Sequence, residues 1–204
     1  KTQKMIEAVN KSETSREDMI LKHVNVDETK VCCEIGVLNG GFSEWIIGNL
    51  KPDILFLVDP WVTYDNYDDA NNSKQEEQDD RYSSVCEKFK DVNEVKIKRL
   101  KSESFLSSFE NEFFDLIYID GDHRFTGVLS DLILTSVRVK KGGYIVVDDV
   151  HVNENGSSAW PEILYAFQVF MSYYVNTDTS SWSSMPRFEY VDWCSNNVML
   201  RRVS

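Results

Sequence analysis

Short apolar runs recur along the chain, and each closes on an acid or a glycine. KVCCEIG (30–36), DILFLVD (53–59), FDLIYID (114–120) and GYIVVDD (143–149) are of this kind. EVKIKRL (94–100) instead alternates apolar and basic residues, the pattern of a strand with one solvated face. Helix-like stretches lie between the runs, at 42–50, 81–90, 103–110, 125–138 and 160–173. Strands alternating with helices predict an α/β, Rossmann-like fold with a mostly parallel sheet. The runs are continuously apolar, as strands are when helices cover both faces of the sheet. The tail departs from this rhythm. RFEYVDW (187–193), a polar CSNN and VMLRRV (198–203) predict an antiparallel hairpin closing the sheet. Met5, Ile6, Val9, Met19, Ile20 and Val24 make the front of the chain look helical. Residues 1–27 are therefore read as an N-terminal helical segment and 28–204 as one domain.

Two segments break the periodicity. VTYDNYDDANNSKQEEQDD (62–80) is rich in acids and amides and reads as a long surface loop or a lid. VNENGSSA (152–159) reads as a second loop. Both leave from strand ends at the carboxyl edge, where open parallel sheets bind their ligands. Aromatic residues in these regions (Trp61, Tyr64, Tyr67, Trp160, Trp182) are candidates either to stack on a bound ring or to pack the lid.

With 204 residues the chain has enough length for one domain with a proper core. Its net charge of −12 argues against phosphate backbones, so nucleic acid is not an expected partner. No apolar run approaches the roughly 20 residues of a membrane span. The first 18 residues hold no signal-peptide core, although the chain does not begin with Met and a removed leader stays open. Cys32, Cys33, Cys86 and Cys194 show no metal-type spacing and read as small hydrophobes in a reducing, cytoplasmic setting.

The stretch CCEIGVLNGGFSEW (32–45) carries the first chemistry. It fails the G-x-G-x-x-G dinucleotide pattern, because Leu38 stands at the second glycine. It also lacks the lysine of a phosphate-binding loop, and Glu34 would repel a pyrophosphate. A glycine loop behind a carboxylate suits a ligand that comes close to the backbone and is cationic there. Asp59, closing the second strand, is placed to accept hydrogen bonds from both hydroxyls of a ribose. A nucleoside with positive charge in place of phosphate is S-adenosylmethionine. Ser102 and Glu103, after the third strand, are expected beside its adenine. Each acid alone also reads as a helix cap or a solvated strand end; the ordered set is what points to the nucleoside.

With these motifs in place, the chain resembles the class I S-adenosylmethionine-dependent methyltransferases from about residue 28 to its end. EIGVLNGG, LVDPW and IDGDH…GVLSDL…KKGGYIVVDDV carry the resemblance. It is most similar to small-molecule O-methyltransferases of the macrocin O-methyltransferase and cephalosporin-biosynthesis type, relatives of the catechol O-methyltransferases. The resemblance implies a seven-stranded sheet ending in an antiparallel hairpin. It also implies a cofactor site at Glu34, Gly36, Val37, Gly40, Asp59, Ser102, Glu103 and Asp120. Phe42 stands where the family has a small residue after the double glycine, which puts Ser43 in doubt as a cofactor ligand.

A second constellation lies at the ends of the fourth and fifth strands. Asp120, Asp148 and Asp149 would repel one another there, and a hard divalent cation such as Mg²⁺ would relieve them. The resemblance implies that these three positions hold a metal that binds the substrate hydroxyl. Asp122 and His123 stand where different branches of the family place their base; a histidine suits the task near neutral pH. His151 is a candidate for supporting the acid pair, and His23 has no partner visible in sequence. The expected function is a divalent-metal-dependent O-methyltransferase acting on a small-molecule hydroxyl. Its alternatives are a metal-independent methyltransferase and a catalytically inactive cofactor-binding module. Relatives form dimers, which leaves a homodimer open.

Overall fold

A computed structural model describes residues 14–153, 156–175 and 185–204. The part of the N-terminal segment at 1–13, including Met5, Ile6 and Val9, lies outside the described residues, as does Trp182. Helix α1 (Arg16–His23) begins at Ser15, whose side chain accepts from the Asp18 N–H, and it buries Met19 and Ile20. The parallel strands are β1 (Val31–Ile35), β2 (Ile54–Val58), β3 (Val95–Lys98), β4 (Phe114–Ile119) and β5 (Val139–Val147). Helices α2 (Gly41–Asn49), α3 (Gln75–Lys88), α4 (Ser102–Leu106) and α5 (Phe125–Arg138) connect them in turn. Helix α6 (Pro161–Tyr174) then leads to the antiparallel pair β6 (Phe188–Cys194) and β7 (Asn197–Arg202).

The strand order is β3-β2-β1-β4-β5-β7-β6, with β7 antiparallel to both of its neighbours. This is the seven-stranded, largely parallel sheet that the apolar runs and the tail predict. Alternation along each strand sorts side chains onto two faces. Cys33, Ile35, Phe56, Val58, Ile117, Ile119, Ile145 and Val147 face α4, α5 and α6. Cys32, Leu55, Leu57, Leu116, Tyr118 and Val146 face α1, α2 and α3. Adjacent Cys32 and Cys33 thus serve two separate cores, and all four cysteines are free thiols. Edge strand β3 half-buries one side and exposes the other. No described helix is long and apolar enough to cross a membrane.

Three boundaries differ from the sequence expectation, the first being the helix expected over 103–110, which stops at Leu106. The segment 62–80 is a loop only to residue 74, because α3 starts at Gln75. The helical period is invisible there, since of residues 75–80 only Gln78 is buried. Strand β5 begins at Val139, not at 143, and α5 runs straight into it. Lys140, Lys141, Gly142 and Gly143 resemble a turn, but they form the bulged start of the strand. A Cβ on Gly143 would meet the Asp115 carbonyl oxygen at 2.7 Å.

Candidate functional site

The carboxyl ends of β1 to β5 open into one cavity of about 610 Å³, within the range of small-molecule sites. Gly36 follows β1, Asp59 follows β2, and Ser102 and Glu103 follow β3. Asp120 to Arg124 follow β4, and Asp149 follows β5. The far wall is the 62–74 loop, through Tyr64, Tyr67, Asp69 and Asn72.

The glycine loop is built by hydrogen bonds and close packing. Gly36 has φ +82°, and a Cβ there would lie 1.8 Å from the Asp120 carbonyl oxygen. The glycine therefore lets the chain after β1 pack against the backbone after β4, besides leaving its own edge open to the cavity. Asp59 Oδ2 accepts from the N–H groups of Val37 (2.9 Å) and Leu38 (3.1 Å), and Oδ1 accepts from Trp61 N–H at 2.7 Å. Asp59 thus shapes the loop while it faces the cavity. Burial raises its pKa against the pull of these N–H groups.

Glu34 departs from expectation, since its carboxyl does not face the cavity. Strand alternation turns it toward α2, where it is 2% exposed and accepts a hydrogen bond from the Ser43 hydroxyl. Burial pushes its pKa up to about 8, so it is largely neutral near pH 7 and offers no fixed charge to a cationic ligand. Val37 and Gly40 also stand back from the cavity. Gly40 takes φ +72° at the start of α2, close against the Phe89 ring.

The acids at the ends of β4 and β5 are rearranged relative to expectation. Asp149 has φ +58°, in the left-handed region that Asp tolerates better than most residues. That turn sends the consecutive acids to different places. Asp148 Oδ2 accepts from Arg16 Nη1 (3.0 Å) and from the Tyr118 hydroxyl (2.6 Å), and Arg16 Nη1 also donates to the Tyr118 hydroxyl at 2.6 Å. Its other oxygen accepts from Asp149 N–H at 2.8 Å. Asp148 is therefore corrected out of the candidate ligand set. In its place stands His123, whose Nε2 lies 3.5 Å from Asp120 Oδ1 and 3.8 Å from Asp149 Oδ2. One ligand atom each from Asp120, His123 and Asp149 falls within 4.8 Å of the others. Burial, with the charges of Asp148 and Asp149, pushes Asp120 up to about 6 although His123 opposes it. Burial works against the charged form of His123, but Asp120, Asp69 and Asp149 outweigh it and raise its pKa.

Asp122, the other candidate base, is clamped. Arg124 Nε donates to both of its oxygens (2.8 and 3.1 Å), and Arg124 Nη2 adds a 2.5 Å contact. Burial pushes Asp122 up, yet these bonds outweigh it and hold the carboxyl below its ordinary range. His151 lies apart, with Nδ1 3.4 Å from the Ala159 N–H. His23 finds the partner that sequence could not show, Asp192 Oδ2 at 2.7 Å, contributed by β6.

The 62–74 loop supplies what sequence reading missed. Tyr67 Oη accepts from His123 N–H at 2.9 Å. Asp69, its side chain 6% exposed, places Oδ2 at 3.0 Å from His123 Nδ1. The Arg124 guanidinium lies over the rings of Tyr64 (5.0 Å) and Tyr67 (4.9 Å). Asn72 ties the loop internally by donating to the Tyr64 and Tyr67 carbonyls. Trp160 packs 4.9 Å from the His123 ring, so the second loop also borders the site. Trp61, by contrast, is buried against Tyr82, and its Nε1 donates to the Leu38 carbonyl at 3.0 Å. The density of acids and amides in the segment was its only signal.

This cavity, over a sheet of this order, defines a class I S-adenosylmethionine-dependent methyltransferase fold. Residues 33–150 match a family described as "Methyltransferase domain", and the chain belongs to that family. An uncharacterised protein of Acanthamoeba polyphaga mimivirus is 30% identical over 120 residues, which are 57% of this chain and 49% of that protein. The chain thus spans about half the length of this curated relative. Among solved structures, a putative rRNA methylase from Clostridium thermocellum superposes with a TM-score of 0.60 at 14% identity, covering 92% of this chain and 93% of that one. A putative O-methyltransferase from Klebsiella pneumoniae superposes with a TM-score of 0.58 at 18% identity, covering 97% and 84%. At such identities these likenesses speak for the fold.

Proposed function

We propose that the chain transfers a methyl group from S-adenosylmethionine to a hydroxyl of a small molecule, using a divalent cation held by Asp120, His123 and Asp149. The observation that supports this reading is the convergence of those three side chains in the cavity that the glycine loop also borders. The donor set fits a cation. Burial raises the pKa of both carboxyls, the charges of Asp148 and Asp149 add to the rise at Asp120 and those of Asp148 and Asp69 to the rise at Asp149, and a positive charge between them would relieve this. Two oxygens and one nitrogen suit Mn²⁺ and its transition-metal neighbours at least as well as Mg²⁺. A bound cation would orient an acceptor hydroxyl and lower its pKa.

The other residues act by position. The Asp59–loop hydrogen bonds hold the backbone that the cofactor lies along. Tyr64, Tyr67 and Trp160 give an aromatic border to the space beside His123, suited to a phenol or a sugar ring. Holding two reactants in line is the main help an enzyme gives to methyl transfer. The rRNA-methylase likeness points toward a polynucleotide acceptor, but a chain of net charge −12 repels phosphates.

Methyl transfer from labelled S-adenosylmethionine to a panel of phenols and sugars tests the proposal, with and without chelator. Loss of activity in chelator and recovery with Mn²⁺ or Mg²⁺ is expected. One observation favours a second, cation-free reading. His123 Nδ1 lies 3.0 Å from Asp69 Oδ2 without making a hydrogen bond, and Nε2 lies 3.5 Å from Asp120 Oδ1, so the imidazole stands among acids in loose contact, where it suits general-base work. Full activity in chelator, combined with loss in His123→Ala, would select that reading.

A further inference from the structure

The β6–β7 hairpin has no part in the chemistry above, yet its tip reaches one of the residues assigned to the cation. Strand β6 ends at Cys194 and β7 starts at Asn197, and these two pair, so the turn is Ser195 and Asn196 alone. Ser195 takes φ +51°, an uncommon conformation for a residue that carries a Cβ. The turn meets the end of β5 at two points. The Asn196 carbonyl accepts from the Val150 N–H at 2.8 Å. Asn196 Nδ2 donates to Asp149 Oδ1 at 2.5 Å. The direction of this amide is fixed from behind, because Asn197, itself buried, donates from Nδ2 to Asn196 Oδ1 at 3.3 Å. An ionised carboxylate only accepts, so the amide must turn its NH₂ toward Asp149.

These contacts close into a ring. Asn197 Oδ1 lies 3.1 Å from the Tyr118 hydroxyl, Tyr118 donates to Asp148, and Asp148 accepts from the Asp149 N–H. Asp149 is thus held by its backbone on one side of the ring and by its side chain on the other. Its two oxygens are left in different states. Oδ1 is taken by Asn196, whereas Oδ2 is the oxygen that lies 3.8 Å from His123 Nε2. Asp149 lines the cavity and Asn196 does not, so the amide works on the carboxylate from behind. A carboxylate with one oxygen so occupied offers a cation a single bond. That suits a small ion with a near-octahedral shell, such as Mg²⁺ or Mn²⁺, whereas Ca²⁺ readily takes both oxygens of one carboxylate in a larger, irregular shell.

We infer that Asn196 is a positioning residue that limits Asp149 to one bond to the cation and thereby favours a small octahedral ion over Ca²⁺. The inference rests on the cation reading of Asp120, His123 and Asp149 and adds to it a residue that touches no reacting atom. Calorimetry of Mn²⁺ and Ca²⁺ binding tests it, on wild type, Asn196→Ala and Asn196→Leu, with S-adenosylhomocysteine binding as the control. Asn196→Ala should weaken Mn²⁺ by about 10-fold, the scale of loss when the support of a metal ligand is removed. Ca²⁺ should weaken by no more than about 2-fold, because that ion can take the freed oxygen as a second bond. The preference for Mn²⁺ over Ca²⁺ therefore falls about 5-fold or more, while S-adenosylhomocysteine affinity holds. If Asn196→Ala does not fold, Asn196→Leu, which keeps the size of the side chain and lacks the N–H, should show the same fall. An unchanged preference in a folded variant, whether both cation affinities hold or both drop together, overturns the inference and leaves the cation reading standing. Binding of neither cation by wild type overturns both.

Discussion

Replacing Glu34 with Gln should flatten the pH dependence of stability. Glu34 is buried on the α2 side of the sheet, with the Ser43 hydroxyl as its hydrogen-bond donor. Burial lifts its pKa from the ordinary 4.5 to about 8; Ser43 and Arg16 pull it down, and Asp120 and Asp59 push it up. The folded chain therefore holds a proton on this carboxyl that the unfolded chain has released between those two values. Its stabilising contribution is complete below about pH 4.5, declines as pH rises, and is spent above about pH 8. Each pH unit is worth about 1.4 kcal/mol, so the span from pH 5 to pH 7 corresponds to a loss on the order of 2–3 kcal/mol. Gln keeps an oxygen for Ser43 and cannot ionise. Urea unfolding at several values from pH 5 to 8.5, on both proteins, measures the difference. The other raised acids, Asp59, Asp120, Asp131 and Asp149, act in both proteins and largely cancel. The variant should gain on wild type by about 2–3 kcal/mol as pH rises from 5 to 7. Parallel profiles would show that Glu34 is ionised in the folded chain and that its burial is relieved by something other than a proton.

Asp149→Ala should weaken Mn²⁺ binding at least 10-fold by calorimetry while S-adenosylhomocysteine affinity holds; equal Mn²⁺ affinity would remove Asp149 from the ligand set. Asp148→Asn should leave Mn²⁺ affinity within a few-fold but lower unfolding free energy by about 1–3 kcal/mol, because it weakens the Arg16–Tyr118–Asp148 cluster. Asp59→Ala strips the acceptor from three backbone N–H groups, so it should cost about 1–3 kcal/mol of stability as well as cofactor affinity. Gly36→Ala should prevent folding or cost more than about 3 kcal/mol, since its Cβ would overlap the Asp120 carbonyl, and circular dichroism on the purified variant decides it.

The sheet was legible because its strands are buried on both faces and spell themselves out as apolar runs. The gathering of Asp59, Ser102, Asp120 and His123 around one cavity was legible because parallel topology forces every strand to end at the same edge. What sequence could not show follows from backbone geometry. Asp148 and Asp149 are neighbours in the chain, and only the positive φ of Asp149 reveals that they part company. Glu34 reads as an edge acid, yet pleat alternation buries it against a serine nine residues later. Asp69 and Tyr67 carry no periodic signal. Their role depends on a fold-back of more than 50 residues onto His123.

The attachment of the 62–74 loop has a kinetic consequence. One end is joined to the glycine loop through Trp61 and Leu38, and its middle rests on His123 and Arg124 through Tyr67. The loop is thus one wall of the cavity and is fastened to two others. On the proposed function, departure of the demethylated cofactor past this wall is expected to open those fastenings, whatever the speed of the chemical step. Turnover would then be governed by the loop's opening rate, and it should slow with solvent viscosity while the single-turnover methyl transfer does not.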